Sequence, residues 1–385
     1  MPQSTSTPFT IAIPESTLTQ LHQKLALTTL PDELDDAGWD YGVPLADIRR
    51  LLVRWRDGYD WRVHETQLNA TLGPQFTRPI QVEGHGTLEI HYIHQRSEVE
   101  GAIPLLFVHG WPGSIIEARK LVPLLTKKAP RGEHLDSPRQ YAEVGNKLML
   151  ALGYNEYVTQ GGDWGSPITR TIAAMYGGKH SKAWHTNMVP GIPPPPDANE
   201  QNLTPKERAG LERVEWFRNK GHGYFVEQST QPQTLGYALA DSPVGLLAWI
   251  YEKLVNWTDG YPWEDDEVLT WISIFLFSRA GPAASLRIYY EYGMNPVKYD
   301  DKPPTIPLGV SRFPRDINVF PKSWSKGIGN IVFDEEHDGG GHFAAYEKPH
   351  ELAGDLRKMF GKRSGAFGVV SGQSGYDSIG VKAKL

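Results

Sequence analysis

The sequence has no cysteine among its 385 residues. That excludes disulfides, zinc–thiolate centres and a thiol nucleophile, and it fits a reducing compartment. Positive charge is also short: 39 Lys and Arg face 45 Asp and Glu, for a net charge of −6. Such a balance gives no electrostatic footprint for nucleic acid or an anionic membrane surface. No long hydrophobic run is present either, since the most apolar stretch, 268–277, is too short to span a bilayer. The opening Met1-Pro2-Gln3-Ser4-Thr5-Ser6-Thr7 carries neither a basic nor an apolar region, so no signal peptide is expected. These absences leave an ordinary soluble globular chain, expected in the cytoplasm. Aromatics are plentiful, with 12 Trp and 17 Tyr; they suit a large apolar pocket and a plain core equally.

The most informative stretch is Gln160-Gly161-Gly162-Asp163-Trp164-Gly165-Ser166. Residues 154–160 read as a strand. Residues 167–176 read as a helix, with Ile168, Ile172 and Met175 at helical spacing. Between them, small residues flank one acid, which is the strand–turn–helix setting of a nucleophile elbow. The usual apex residue is Ser; here it is Asp163. A Ser would imply an acyl-enzyme, whereas a carboxylate attacks a saturated carbon and forms an ester. The substrate is then an epoxide or an alkyl halide. The competing reading is an Asp that merely caps the helix from a Gly-rich turn.

Along the chain, residues 1–80 form an N-terminal extension of a strand and helices that is expected to wrap the core. Residues 9–13 alternate like a strand, 14–25 read as a helix, and Leu45, Ile48, Leu52 and Trp55 make a second apolar stripe. Residues 81–190 read as the first half of a core, with a hairpin around Gly84-His85-Gly86 and a buried strand at 103–108. A helix is predicted at 115–125 and another at 139–152. The Pro-rich run 190–196 opens a helical insertion, a cap, over 191–304. Core patterning resumes over 305–362, with a last helix at 349–360. Residues 363–385 have no sustained period and are expected to be a flexible tail.

Two later residues give Asp163 partners. Asp316 lies in Phe313-Pro314-Arg315-Asp316, and His342 follows a final strand in Gly340-Gly341-His342-Phe343. Nucleophile, acid and histidine in that order match the α/β-hydrolases. Asp334, Glu335, Glu336 and Asp338 are nearer to His342 in sequence and are alternatives for the acid.

These residues resemble the epoxide hydrolases of the microsomal type, in their soluble fungal branch, over about residues 8–360. The matching pieces are Trp55-Arg56-Asp57-Gly58-Tyr59-Asp60-Trp61-Arg62, His109-Gly110-Trp111-Pro112-Gly113-Ser114 and Gly161-Gly162-Asp163-Trp164-Gly165. Further on come the run from Asp241-Ser242-Pro243 to Tyr251-Glu252-Lys253, and Gly340-Gly341-His342-Phe343. The resemblance implies an α/β-hydrolase fold, with a mostly parallel sheet flanked by helices, an N-terminal helical extension and an inserted helical cap. It implies Asp163 as nucleophile, His342 as the base that activates water and Asp316 as the acid that orients it. The backbone N–H groups of Trp111 and Trp164 would form the oxyanion hole. Tyr224 and Tyr289, with Tyr290 the alternative to the latter, would donate to the epoxide oxygen. The product would be a vicinal diol. No cofactor or metal is implied. The expected partners are a small apolar epoxide and water, with detoxification of such compounds as the setting and with a homodimer allowed. Haloalkane dehalogenases share the Asp–His–acid set, so a dehalogenase-like hydrolase is the alternative activity.

One departure stands out. In the family, the helix after His109-Gly110-Trp111-Pro112 leads into a further buried strand. Here 126–138 is polar and interrupted by proline, and two helices follow one another. The sheet is therefore expected to be one strand short, leaving two neighbours to pair directly or stay unpaired. A member that has lost turnover along with this strand is a third reading.

Overall fold

A computed structural model describes residues 6–126, 138–189, 203–294 and 302–376. In chain order the elements are β1 (Thr7–Phe9), α1 (Glu15–Ala26), α2 (Leu45–Asp57), α3 (Trp61–Thr71), β2 (Gln75–Val82) and β3 (Gly86–Ile93). Then come β4 (Leu105–Val108), α4 (Val122–Thr126), α5 (Pro138–Ala151), β5 (Tyr157–Gly161), α6 (Gly165–Tyr176) and β6 (Ser181–Thr186). A helical run follows: α7 (Pro205–Trp216), α8 (Gly223–Thr230), α9 (Pro232–Asp241), α10 (Pro243–Asn256), α11 (Asp265–Leu276) and α12 (Arg287–Met294). The described elements are completed by β7 (Pro307–Arg312), β8 (Asn330–Glu336), α13 (Ala344–Glu347) and α14 (Pro349–Phe360).

The chain divides into two compact units. The first comprises Met1–Phe9, Leu72–Phe217 and Val297–Leu385. Its heart is a five-stranded parallel sheet of order β4-β5-β6-β7-β8. Parallel strands covered on both faces need apolar residues at successive positions. The strand β5 is buried at all five, as its run of Tyr157, Val158 and Thr159 requires. The core is layered around this sheet. Trp184, Leu308, Val310 and Ile328 pack together on one side. Phe107, Leu121, Phe313 and Leu352 form another cluster. The fold is that of an α/β-hydrolase.

The second unit comprises Thr10–Thr71 and Arg218–Pro296, so the N-terminal helices cluster with the cap helices. The join is both polar and apolar. Arg54 donates to both carboxylate oxygens of Asp266 at 2.7 and 2.8 Å. Tyr59 Oη lies 3.0 Å from Thr270 Oγ1, and the Trp61 ring meets Phe277 edge-on at 4.9 Å. The expected domain limits had kept the residues before 80 separate from the cap; spacing within a sequence carries no signal for such long-range packing.

Two local expectations differ from the structure. The helix predicted over 115–125 is a 3-10 turn, Glu117–Arg119, and then the separate short α4. Pro123 explains the restart, because proline is tolerated only in the first turn of a helix. In the tail, Ala366 and Val370 are buried against Leu356, Met359 and Phe360. The rest of that tail, 377–385, and the polar segment 127–137 lie outside the described residues.

The sheet is divided where a strand was expected to be missing. The antiparallel set β1-β2-β3 is one sheet, and β4 begins another. Among the described residues β3 and β4 share no ladder, and the two strands have not closed up. An open groove of about 950 Å³ lies there, lined by Leu105, Phe107, Leu121, Leu148, Tyr154 and Phe360 among others. So, among the described residues, β4 is an edge strand with a buried apolar face and a ladder on one side only. Hydrogen exchange reads this directly. Part of the β4 amides should exchange far faster than those of β5, which is paired on both sides. Uniformly slow exchange across 105–108 would contradict an open edge.

Candidate active site

Strand ends bring the site together. In open parallel sheets the reacting groups gather beyond the carboxyl ends of the strands. Val108 pairs with Gly161 at the ends of β4 and β5, so the turns His109–Trp111 and Gly162–Trp164 lie side by side. Asp163 stands at the apex of the second turn with φ 47°. A non-glycine residue in that region costs about 1–3 kcal/mol and persists only where its surroundings impose it. Two glycines do so here by having no Cβ. A Cβ on Gly165 would run into the Val108 carbonyl, and one on Gly110 into Asp163 Oδ1. The Ser166 amide donates to the Asp163 carbonyl at 3.0 Å, and α6 departs at once. The N-cap position of α6 is Trp164, with no side-chain cap, and the Asp163 carboxylate accepts from the Trp111 amide instead.

The Trp111 N–H donates to Asp163 Oδ1 at 2.6 Å. The other oxygen, Oδ2, lies 3.4 Å from His342 Nε2. The His342 Nδ1–H donates to Asp316 Oδ1 at 2.7 Å, and the Ile317 amide donates to the same oxygen at 2.6 Å. Asp316 and His342 are both buried. Their loops are tied together, since the Arg315 amide donates to the Gly340 carbonyl at 3.0 Å. His337 braces both from behind. Its amide donates to the Arg312 carbonyl, its ring stacks on Phe313 at 4.7 Å, and its Nε2 lies 2.6 Å from Asp355 Oδ2. The nearer acids are engaged elsewhere, Asp334 with Arg312 and Glu335 with Lys358.

The electrostatics follow from this arrangement. Burial pulls the His342 imidazole down, but the Asp316 and Asp163 carboxylates outweigh it and lift its pKa to about 10. Burial lowers His109 to about 4, so that residue is neutral. Burial raises Glu117 to about 8, with Asp163 adding to the rise and His342 opposing it. Glu117 was not singled out from the sequence, where it read as an ordinary acid in a helix. Its signal was an acid set among Ile115, Ile116 and Ala118 just past a Gly-rich strand end.

The tyrosines lie in the second unit. Tyr224 on α8 and Tyr289 on α12 are buried, with ring centroids 5.7 Å apart and planes at 83°. The neighbouring Tyr290 is 37 % exposed. Tyr289 is therefore the member that pairs with Tyr224. Trp164 stands at the N-terminus of α6. Among the described residues no group of three or more His, Asp or Glu side chains is placed to hold a metal ion, and no helix is long and apolar enough to cross a membrane.

An Asp at an elbow, an amide on its carboxylate and a buried His–Asp pair behind it are groups that a hydrolase site requires. Comparison with known proteins agrees. Residues 6–118 match the family described as Epoxide hydrolase N terminus. A Stigmatella aurantiaca homologue is 39% identical over 92% of this chain and 84% of its own. Epoxide hydrolase 1 of Sus scrofa is 32% identical over 92% of this chain and 88% of that one. The structure of Aspergillus niger epoxide hydrolase matches with a TM-score of 0.80 at 32% identity, covering 92% of this chain and 96% of that one. The chain belongs to the epoxide hydrolase family. It is accordingly an enzyme of the epoxide hydrolase class.

The elbow's dependence on close approach is testable by stability. Gly165→Ala forces a methyl against the Val108 carbonyl and should cost about 1–3 kcal/mol in urea unfolding. An unchanged midpoint would mean the turn is not packed as described.

Proposed function

We propose that this enzyme converts an apolar epoxide to a vicinal diol through a covalent ester on Asp163. The observation that supports this best is the double grip on one carboxylate, by an amide at 2.6 Å and an imidazole at 3.4 Å. In the first step an Asp163 oxygen attacks an epoxide carbon and the ring C–O bond breaks. The departing alkoxide takes a proton from Tyr224 or Tyr289, since an unprotonated alkoxide is a poor leaving group. The buried edge-to-face pairing of these two rings supports their acting as a pair.

In the second step His342 takes a proton from water, and the hydroxide adds to the Asp163 carboxyl carbon. The negative charge settles on the oxygen that faces the Trp111 amide, with the Trp164 amide as the proposed second donor. Collapse expels the diol and restores the carboxylate, and the proton taken up by His342 balances the one given up by the tyrosine in the first step, returning to it through solvent. Asp316 keeps the His342 Nδ1 proton in place, leaving Nε2 to act as base.

The raised His342 pKa fits this order. While Asp163 is ionised, it helps hold His342 protonated. Ester formation consumes that negative charge, so one of the two carboxylates that lift the imidazole is neutralised. The imidazole pKa then falls and it becomes a base only when there is an ester to hydrolyse.

Rapid mixing with styrene oxide as probe, acid quench and mass analysis of the peptide bearing Asp163 tests this reading. His342→Gln should accumulate the alkylated peptide with little diol, and Asp163→Ala should give neither. Tyr224→Phe should slow adduct formation about 10²–10⁴-fold, the usual size of a lost general acid. Normal diol formation by Asp163→Ala would sink the mechanism.

A further inference from the structure

The elbow is not the only carboxyl group on this turn. Glu117 is 8 % exposed and bends back over its own loop. The Gly110 amide donates to its carboxyl group. Its Oε2 occupies the space that a Cβ on Gly113 would fill, so glycine at 113 is what admits it. The very next amide, Trp111 N–H, is the one that holds Asp163. Two consecutive amides are thus gripped by two different carboxyl groups, one reacting and one not. The two amides belong to adjoining peptide planes hinged at the Gly110 Cα, so holding one limits the swing of the other.

We infer that Glu117 is a positioning residue, a neutral carboxylic acid that clamps the Gly110 amide and thereby aims the Trp111 N–H at the oxyanion. The charge state is part of the role. Glu117 carries its proton at neutral pH, because burial and the Asp163 charge both disfavour its anion. As an anion it would stand beside the tetrahedral intermediate and repel the negative charge that the amide is there to stabilise. The groups acting on it are His342 and Asp163. The remaining titratable groups on the elements around it are neutral His109 at the end of β4, Arg119 and Lys120 on its own turn, and Tyr346 and Glu347 on α13. Lys120 is occupied over the Tyr346 ring, 3.9 Å from its centroid.

Two readouts test this, and only one depends on the proposed ester chemistry. The first is stability. An acid held at a pKa of about 8, against 4.5 for the free side chain, binds a proton in the folded state that the unfolded chain has lost. Stability then falls as pH rises through that window, since the folded state binds more protons. Wild type should therefore lose stability relative to Glu117→Gln between pH 5 and 8, with the difference flat below pH 4. A difference that is independent of pH would overturn the inference, whether or not the enzyme turns over.

The second readout is hydrolysis of the alkyl-enzyme in a single turnover. In wild type it should fall above pH 8, while Glu117→Gln, which keeps the clamp without the charge, should lose that alkaline limb. Glu117→Leu, which loses the clamp, should slow hydrolysis about 100-fold, comparable to losing one oxyanion donor, and leave alkylation much less affected. Equal slowing of both steps, or an unchanged limb in Glu117→Gln, would contradict it. Absence of any alkyl-enzyme in wild type would refute the ester reading alone and leave the stability test standing.

Discussion

Everything in the first unit converges on one carboxylate that is held at two points. The Asp163 side chain meets an amide on one oxygen and an imidazole on the other, at 2.6 and 3.4 Å. Neither grip would form if the residue were in ordinary helix or strand geometry. The backbone at φ 47° puts the carboxylate between them, and the crowding of Gly165 against the β4 carbonyl keeps it there. Strain of about 1–3 kcal/mol is affordable only inside a rigid frame. The buried strand β5 on one side of the turn and α6 on the other supply that frame.

The frame is uneven. On the side of β6, β7 and β8 the parallel ladders are continuous, and the loops carrying Asp316 and His342 are cross-linked by a backbone bond and by His337. On the other side, β4 is a sheet edge beside an open groove. Yet β4 is the strand that delivers the Trp111 amide. The amide proposed as an oxyanion donor thus follows a strand that, among the described residues, is paired on one side only. The Glu117 clamp acts at that weak point, because it restrains the turn from within rather than through the sheet.

Much of this could be read from residues alone, because the relevant signals are local. Glycines around an acid between a strand and a helix specify the elbow, and Asp163, Asp316 and His342, far apart in the chain, are brought together as their order led one to expect. The interrupted pattern after Thr126 specified a break in the sheet. What could not be read depended on contacts distant in sequence or on subtle geometry. That 10–71 cluster with the cap helices rests on pairs such as Arg54 with Asp266, more than two hundred residues apart. Tyr289 rather than Tyr290 is the buried partner of Tyr224 because of how α12 is rotated against α8, and adjacent tyrosines look alike in a sequence. Glu117 was hidden because a carboxyl group in an apolar helix-like run is usually solvated, and only the bend of the chain at Glu117–Arg119 turns it inward.

The central claim is that water attacks the enzyme's own ester rather than the epoxide. A single turnover in water enriched in oxygen-18, with enzyme in excess, separates the two. The account predicts that the first diol carries an unlabelled oxygen taken from Asp163, and that the heavy isotope appears in the Asp163 carboxylate. Heavy oxygen in the first-turnover diol, with an unlabelled Asp163 peptide, would contradict it.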